Sequence, residues 1–201
     1  MKIVVAVKQV PERDAPVRVA SDGHGVDTGD AAWTMNEPDA YALEEALQLK
    51  ERNSGAGEVI VLSAGPERVE STLREALAKG ADRALHIVTP ESGSGSLAER
   101  DTLGVAQLLA EAVRSESPDL VLTGLQSDDL GAGQTGVVLA ELLGLPYATL
   151  VLSVETAASG EATRINVKRE LEDGWFQNIE MPLPALLTIQ SGGNRLRYAT
   201  L

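Results

Sequence analysis

The residues from Gly124 to Thr135 have the types and spacing that could do chemistry, namely the binding of an anion. Gly131, Gly133 and Gly136 would let the backbone approach a phosphate closely. The polar side chains that could contact the same ligand are those of Gln126, Ser127, Gln134 and Thr135. This stretch is therefore the first candidate for a binding site.

The flanking elements place this loop where ligands bind in α/β proteins. The apolar run 119–124 is typical of a buried parallel strand, and the run 137–143, which ends at Gly144, is typical of a helix. A loop between a strand's carboxyl end and a helix's amino end presents free backbone N–H groups to a crevice. The letters from Gly131 to Gly136 spell GxGxxG, but they begin too far from the strand for the dinucleotide fingerprint. Nucleotide binding and a plain glycine-rich turn both remain open from these residues alone.

Composition excludes several classes of function. The chain has no cysteine, which rules out disulfides, thiolate metal sites and a cysteine nucleophile. Its net charge of -13 argues against binding to a nucleic-acid backbone. The first apolar run is too short for a signal peptide or a membrane span, so we expect a cytoplasmic protein that is not embedded in a membrane.

Strands and helices are predicted to alternate along the first three quarters of the chain. The predicted strands cover residues 3–7, 58–63, 84–88 and 119–124, and the predicted helices cover 36–51, 69–80, 98–115 and 134–143. This order predicts an α/β fold with a doubly wound, mostly parallel sheet. Residues 9–14 are predicted to form a loop, and Asn36 to be the N-cap of the first long helix.

The remaining segments predict β structure. Residues 148–154, 164–170, 176–181 and 185–189 predict antiparallel strands added to the sheet, with turns at 158–160 and 173–174. Asp22-Gly23 predicts a small hairpin between 17–20 and 26–27, with His24 as an exposed turn residue. We expect residues 1–190 to form a single nucleotide-binding domain.

Several motifs, taken in order, resemble the beta subunit of the electron-transfer flavoproteins. They are Val5-Ala6-Val7-Lys8, Met35-Asn36-Glu37-Pro38, Leu43-Glu44-Glu45-Ala46, Gly80-Ala81-Asp82-Arg83, Gly124-Leu125-Gln126-Ser127-Asp128-Asp129, Gln134-Thr135-Gly136, Val167-Lys168-Arg169-Glu170, Met181-Pro182-Leu183-Pro184-Ala185 and Arg197-Tyr198-Ala199-Thr200-Leu201. The resemblance covers essentially the whole sequence.

The resemblance implies an electron carrier and not an enzyme. An alpha subunit would form a heterodimer with this chain and hold most of a redox-active FAD, while this chain would bind AMP structurally. Electrons would pass from acyl-CoA-type dehydrogenases to a quinone oxidoreductase. The AMP contacts that the resemblance implies are Ala6, Asn36, Glu37, Pro38, Asp39, Ala64, Gly124, Leu125, Gln126, Ser127, Asp128, Asp129, Leu130, Gly131, Ala132, Gly133, Gln134 and Thr135.

The C-terminal residues resemble a partner-recognition loop. Residues 191–201 would be its start, with Leu201 as the anchor that docks partner dehydrogenases. Members of the family usually continue with a lysine-rich stretch and an arm that wraps the alpha subunit, and we expect that arm to be absent here.

Three alternatives are kept. In bifurcating members of the family a second FAD replaces AMP, although Gln134-Thr135-Gly136 looks more like the AMP-binding members. The chain could instead be a stand-alone ATP-binding stress or signalling protein of similar fold. It could also be an enzyme that uses Asp128 and Asp129 as metal ligands or acid/base groups. For Asn36, simple capping of a helix is the commoner role.

Overall fold

The computed structural model of the chain describes residues 1–16, 18–21, 23, 26–27, 29–156 and 164–199. The predicted turn at 158–160, His24 and Leu201, which is predicted to be the docking residue, lie outside the described residues.

Strands and helices alternate as predicted over most of the chain. The strands are β1 Lys2–Ala6, β2 Gln9–Pro11, β3 Arg18–Val19, β4 Val26–Asp27, β5 Trp33–Met35, β6 Glu58–Gly65, β7 Arg83–Val88, β8 Leu120–Gly124, β9 Tyr147–Thr156, β10 Arg164–Glu170, β11 Phe176–Pro182 and β12 Ala185–Ile189. The helices are α1 Glu37–Arg52, α2 Glu70–Ala78, α3 Thr102–Glu116 and α4 Thr135–Leu143, and short 3₁₀ turns cover Glu67–Val69, Leu97–Glu99 and Glu172–Gly174.

The main sheet confirms the predicted fold class. Within the described residues it has eight strands in the order β11-β10-β9-β12-β8-β1-β6-β7. The strands from β9 to β7 in this order pair in parallel, whereas β10 pairs antiparallel with both β9 and β11. The fold is therefore a mostly parallel α/β sheet with antiparallel strands from the C-terminal part of the chain.

The prediction that residues 185–189 form an antiparallel strand is wrong. β12 lies between β8 and β9 and is parallel to both, with Leu187 opposite Leu122 and Ala148. All five of its residues are buried, as expected for a strand covered on both faces of a parallel sheet. The prediction for 148–154 holds only in part, because the first half of β9 pairs in parallel with β12 and the second half antiparallel with β10.

Smaller elements also differ from the prediction. Residues 9–11, predicted as loop, form β2 and pair antiparallel with β5. The hairpin of β3 and β4 is confirmed by the pairing of Arg18 with Asp27. The helix predicted from residue 98 begins at Thr102, because the side chain of Asp101 caps it by accepting the N–H of Gly104 at 2.8 Å.

The core lies in two layers, one on each face of the sheet. Residues of α1 and α2 pack on one face, and residues of α3 and α4 pack on the other. Among the described residues, no helix is long and apolar enough to cross a membrane.

The first turn of α4 packs closely against the sheet, and this contact predicts an effect of mutation. In Gly136→Ala the new Cβ would lie 2.6 Å from Thr123 Oγ1 and 2.6 Å from Thr188 Cγ2. Both atoms belong to buried strands, so we expect the free energy of unfolding to fall by about 1–3 kcal/mol. Urea denaturation monitored by circular dichroism measures the change.

Gly104→Ala is the matched control, because it also places a methyl group in a helix. Its new Cβ would meet Arg100 Cβ and Asp101 Oδ1 at 3.4 Å, which is an ordinary contact distance. This variant should be unchanged or more stable by up to about 1 kcal/mol. Equal losses in both variants would contradict the close packing of α4.

Candidate functional site

The topology of the sheet creates a crevice at the carboxyl ends of β1 and β8. From β1 the chain proceeds outward through β6 and β7, and it then returns to β8 on the other side of β1. Such a reversal of strand order is where α/β proteins bind ligands, because the connections leave in opposite directions. Ala6 at the end of β1 lies opposite Thr123 of β8, and Ala64 is near the end of the adjacent β6.

The side chain of Asn36 ties the start of α1 to the predicted binding loop. Its Nδ2 donates to the carbonyl of Gln126 at 2.9 Å, and its Oδ1 accepts the N–H of Asp128 at 2.9 Å. Asn36 lies at the N-cap position but makes no side-chain capping bond to the described residues. Simple capping is therefore the wrong interpretation, since the amide fixes the conformation of a loop 90 residues away.

Asp39 joins α1 to the ends of β1 and β8. Its buried carboxylate accepts the N–H of Lys8 at 2.7 Å on one oxygen and the N–H of Gly124 at 2.9 Å on the other. A side chain at position 124 would overlap Asp39, so the contact requires glycine there. Burial raises the pKa of Asp39 to about 7, although the hydrogen bonds from Lys8, Asn36 and Gly124 lower it.

Lys8 belongs to the candidate site, although the sequence pattern gave it no role of its own there. Its ammonium contacts both carboxylate oxygens of Asp129 at 2.7 Å and lies 3.4 Å from Ser127 Oγ. Burial raises the pKa of Asp129, but the bonds from Lys8 and Ser127 outweigh burial and the net shift is downward. The one available signal was position, because Lys8 is the second residue after β1, at the carboxyl edge of the sheet.

Asp128 is held by neighbours on α1 and on the segment after β2. Its Oδ2 accepts the N–H of Glu37 at 3.3 Å and lies 3.9 Å from an Nη of Arg13, which itself pairs with Glu37. Asp128 and Asp129 thus take part in hydrogen bonds and ion pairs that shape the loop. Among the described residues there is no group of three His, Cys, Asp or Glu side chains that could hold a metal ion.

Two glycines give the loop a backbone conformation that other residues rarely adopt. Gly131 and Gly133 both have φ of +63°, a conformation that side chains disfavour, and the N–H of Gly131 donates to Ser127 O at 2.8 Å. Leu125 is anchored by its N–H to Ile189 O at 2.9 Å. The members of the loop that are exposed to solvent are Gln126, Asp128, Asp129, Leu130, Gly131, Ala132 and Gln134.

The loop ends at the amino end of α4. The helix begins at Thr135, and the first backbone N–H groups of a helix have no acceptor within it. Gln134 at the N-cap position makes no side-chain capping bond to the described residues. These donors and the helix dipole favour a negatively charged group at this end.

The predicted residues come together at the carboxyl edge of the sheet in two groups. Ala6 and Ala64 pack with the layer of α3 and α4. Asn36, Asp39 and the buried Pro38 belong to the start of α1, which contacts the loop.

A cavity of about 420 Å³ lies beside this crevice. Two of the predicted residues, Glu37 and Asp128, line the cavity. The other lining residues are Val10, Pro11, Glu12, Arg13, Asp14, Thr34, Met35, Ala40, Glu75, Lys79 and Leu196.

Comparison with known proteins identifies the family to which this chain belongs. Residues 24–199 match the electron transfer flavoprotein domain. The chain is 40% identical over its full 201 residues to the electron transfer flavoprotein subunit beta of Methylophilus methylotrophus, and it covers 74% of that protein. The corresponding subunits of Dictyostelium discoideum and Homo sapiens are 37% and 38% identical, and each is covered to 75%.

The chain belongs to the electron transfer flavoprotein beta-subunit family. Its resemblance to these subunits, inferred from motifs, is therefore confirmed. Membership makes the chain part of an electron carrier. The chain spans about three quarters of the length of the curated relatives it matches.

In this beta-subunit fold, the two contacts of Asp39 predict a pH-dependent stability. Asp39→Asn keeps one acceptor oxygen but turns an NH₂ group toward a backbone N–H. We therefore expect the free energy of unfolding to fall by about 1–3 kcal/mol. The pKa of Asp39 is about 7 in the folded state and 3.8 ordinarily, so the folded state binds the proton more tightly. Stability from this group is fully present below its ordinary pKa and is lost as the pH rises through about 7.

Urea denaturation of both proteins between about pH 5 and about pH 8 tests this sign. The difference in unfolding free energy between wild type and Asp39→Asn should shrink as the pH rises. Asp82→Asn is the control. Burial raises the pKa of Asp82, but hydrogen bonds from Lys50 and Val59 outweigh burial, so the net shift is downward. The difference in unfolding free energy between wild type and Asp82→Asn should therefore stay constant over this range. A constant difference for Asp39→Asn would contradict the assigned pKa.

Proposed function

We propose that this chain binds AMP as a structural ligand in the crevice between the start of α1 and the loop from Gly124 to Thr135. The observation that carries the proposal is the paired hydrogen bonding of Asn36 to Gln126 and Asp128. It holds the loop in place beside the point where the strand order reverses. A preformed loop binds a ligand without the entropic cost of ordering it.

The residues of the crevice fit a nucleoside monophosphate. The N–H groups at the start of α4 suit the phosphate, and the small side chains of Ala6 and Ala64 leave room for the adenosine part. The loop carries two carboxylates, and Lys8 is already paired with one of them. A triphosphate would meet more repulsion there than a monophosphate, which favours AMP over ATP.

The proposed role of the chain is that of the beta subunit in a heterodimer with an alpha subunit. Residues 1–190 would form one nucleotide-binding domain, and residues 191–201 the start of the recognition loop, with Leu201 as the docking residue. When bound between the subunits, FAD supplies the redox chemistry. This chain's own residues help to enclose the cofactor and present the surface for partners.

The proposed electron path connects acyl-CoA-type dehydrogenases with a quinone oxidoreductase, as part of fatty acid oxidation in the cytoplasm. The chain would perform no bond chemistry itself. Its contribution would be to stabilise the heterodimer through the bound nucleotide, because a ligand that binds the folded state stabilises it by mass action.

Identification of the bound nucleotide tests the proposal. The chain is expressed with and without its candidate alpha subunit, each sample is denatured, and the released nucleotides are separated by chromatography. We expect AMP in both samples and stoichiometric FAD in the co-expressed sample alone. FAD in twofold amount with no AMP would replace the proposal with the bifurcating type, and ATP from a homodimer without flavin would overturn it.

Two substitutions test the division of labour between AMP and FAD. Asn36→Ala removes both bonds to the loop, and Gln134→Ala removes a polar side chain at the start of α4. Each should weaken AMP binding by about 1–2 kcal/mol, about five- to thirtyfold in Kd, as measured by calorimetry. The FAD potential of the heterodimer should stay nearly unchanged, and a large shift would count against a purely structural role of the nucleotide.

A further inference from the structure

Two short strands that stand apart from the main sheet connect the residues that hold the nucleotide loop. Within the described residues, β2 and β5 form a separate two-stranded sheet in which Gln9 lies opposite Met35. We call this pair of strands the β2–β5 ribbon. Lys8 directly precedes the ribbon and Asn36 directly follows it, and the N–H of Asn36 donates to the carbonyl of Lys8 at 2.9 Å. These two residues therefore form the base of the ribbon.

The base of the ribbon contacts the nucleotide loop at three residues. The ammonium of Lys8 contacts both carboxylate oxygens of Asp129 at 2.7 Å. The amide of Asn36 donates to the carbonyl of Gln126 and accepts the N–H of Asp128, each at 2.9 Å. The position of the loop therefore depends on where the ribbon is held.

Gln9 of β2 attaches the ribbon to the start of α2. Its side chain is buried, and its Nε2 lies 3.1 Å from the carbonyl of Arg68 and 3.0 Å from the hydroxyls of Ser71 and Thr72. Its Oε1 accepts Nη1 of Arg68 at 3.2 Å. A buried amide that is satisfied at both ends is costly to release, because each freed group would lose its partner.

Arg68 also contacts the second strand of the ribbon. Its guanidinium lies 3.6 Å from the ring centre of Trp33 in β5, and its Nε lies 3.3 Å from Glu91 Oε1. Burial lowers the pKa of Arg68, and Glu91 only partly offsets this. A cation that is partly removed from water binds an indole ring more strongly than an exposed one. The same side chain thus fastens both strands of the ribbon.

The place of Arg68 in the chain joins two walls of the crevice. It lies in the 3₁₀ turn Glu67–Val69, just after β6, whose Ala64 leaves room for adenosine in the proposed function. The loop from Gly124 to Thr135, on the other wall, is held through the ribbon. Release of the ribbon from this turn should therefore loosen the loop relative to the end of β6.

We propose that Arg68 is a positioning residue for nucleotide binding, which fixes the β2–β5 ribbon on the start of α2 through Gln9 and Trp33. Lys8 and Asn36 at the base of the ribbon are then held where they contact the loop. The inference rests on the proposed function, in which the loop binds AMP. It adds a residue that acts on the loop through the ribbon.

Calorimetric titration of AMP into the AMP-depleted heterodimer tests the proposal. Arg68→Ala should raise the Kd for AMP about tenfold, which corresponds to about 1.4 kcal/mol. Hydrogen exchange of residues 124–135 should become faster, because the N–H of Asp128 depends on Asn36. Arg68→Lys should recover part of the affinity, because a lysine can still lie over Trp33 but lacks the planar fork that contacts Gln9.

A double-mutant cycle tests whether Arg68 acts through the base of the ribbon. Arg68→Ala should raise the Kd less in the Asn36→Ala background than in the wild type, because part of the contact that Arg68 positions is already absent. Full additivity of the two substitutions would contradict the proposal, since it would mean that Arg68 and Asn36 act independently.

Arg83→Ala is the matched control. Arg83, at the first residue of β7, also bonds two partners, Glu58 and Glu116, each at 2.6 Å. These contacts lie at the amino edge of the sheet, opposite the crevice. Arg83→Ala should therefore lower the midpoint of urea denaturation and leave the Kd for AMP unchanged.

A wild-type Kd in both folded Arg68 variants would overturn the positioning role and leave the proposed function standing. An equal rise in Kd for Arg83→Ala would also overturn it, because a general loss of stability would then explain the effect. If Arg68→Ala does not fold, a wild-type Kd in Arg68→Lys is sufficient to overturn the role. If the wild-type heterodimer neither releases nor binds AMP, the proposed function fails and the positioning role fails with it.

Discussion

Three buried carboxylates on α1, within the described part of the chain, must each find donors outside their own helical turn, and much of the structure depends on this constraint. Asp39 is satisfied by the backbone at the ends of β1 and β8. Glu45 accepts from Val154 of β9 at 3.1 Å, and Glu44 from Arg197. Because unpaired buried charges destabilise a fold strongly, these contacts fix α1 against three separate parts of the chain.

This constraint explains how the candidate site is held in position although it lies in a loop. Asn36 and Asp39 are three residues apart at the start of α1, and their side chains reach the loop and the strand that precedes it. The loop therefore inherits its position from a helix that is itself held along its whole length. Sites supported in this way keep their geometry more precisely than loops that depend on their own contacts.

The sequence predicted the elements better than it predicted their partners. The apolar runs of β1, β6 and β8 and the stripe of α1 were visible because burial imposes a periodic pattern. The direction of β12 was not visible in the sequence, because a short apolar run has no feature that distinguishes parallel from antiparallel pairing. The wrong direction was predicted for β12 because the strands that precede it along the chain were predicted to be antiparallel. That prediction is correct for the pair β10 and β11, whereas β12 is parallel to β8.

The candidate site was predictable in its location but not in its internal contacts. The glycines of the loop were noted for a close approach to an anion, whereas the left-handed backbone of Gly131 and Gly133 is seen only in the structure. The partners of Asn36 are about 90 residues away, and Asp129, the partner of Lys8, is 121 residues away, so local sequence carries no trace of them.

The central position of β12 has a consequence for biosynthesis. The edges of β8 and β9 that face each other in the sheet have no strand between them until the ribosome has released residues 185–189. Unpaired edges of this kind bind other strands readily, so the nascent chain is exposed to aggregation until β12 has been synthesised.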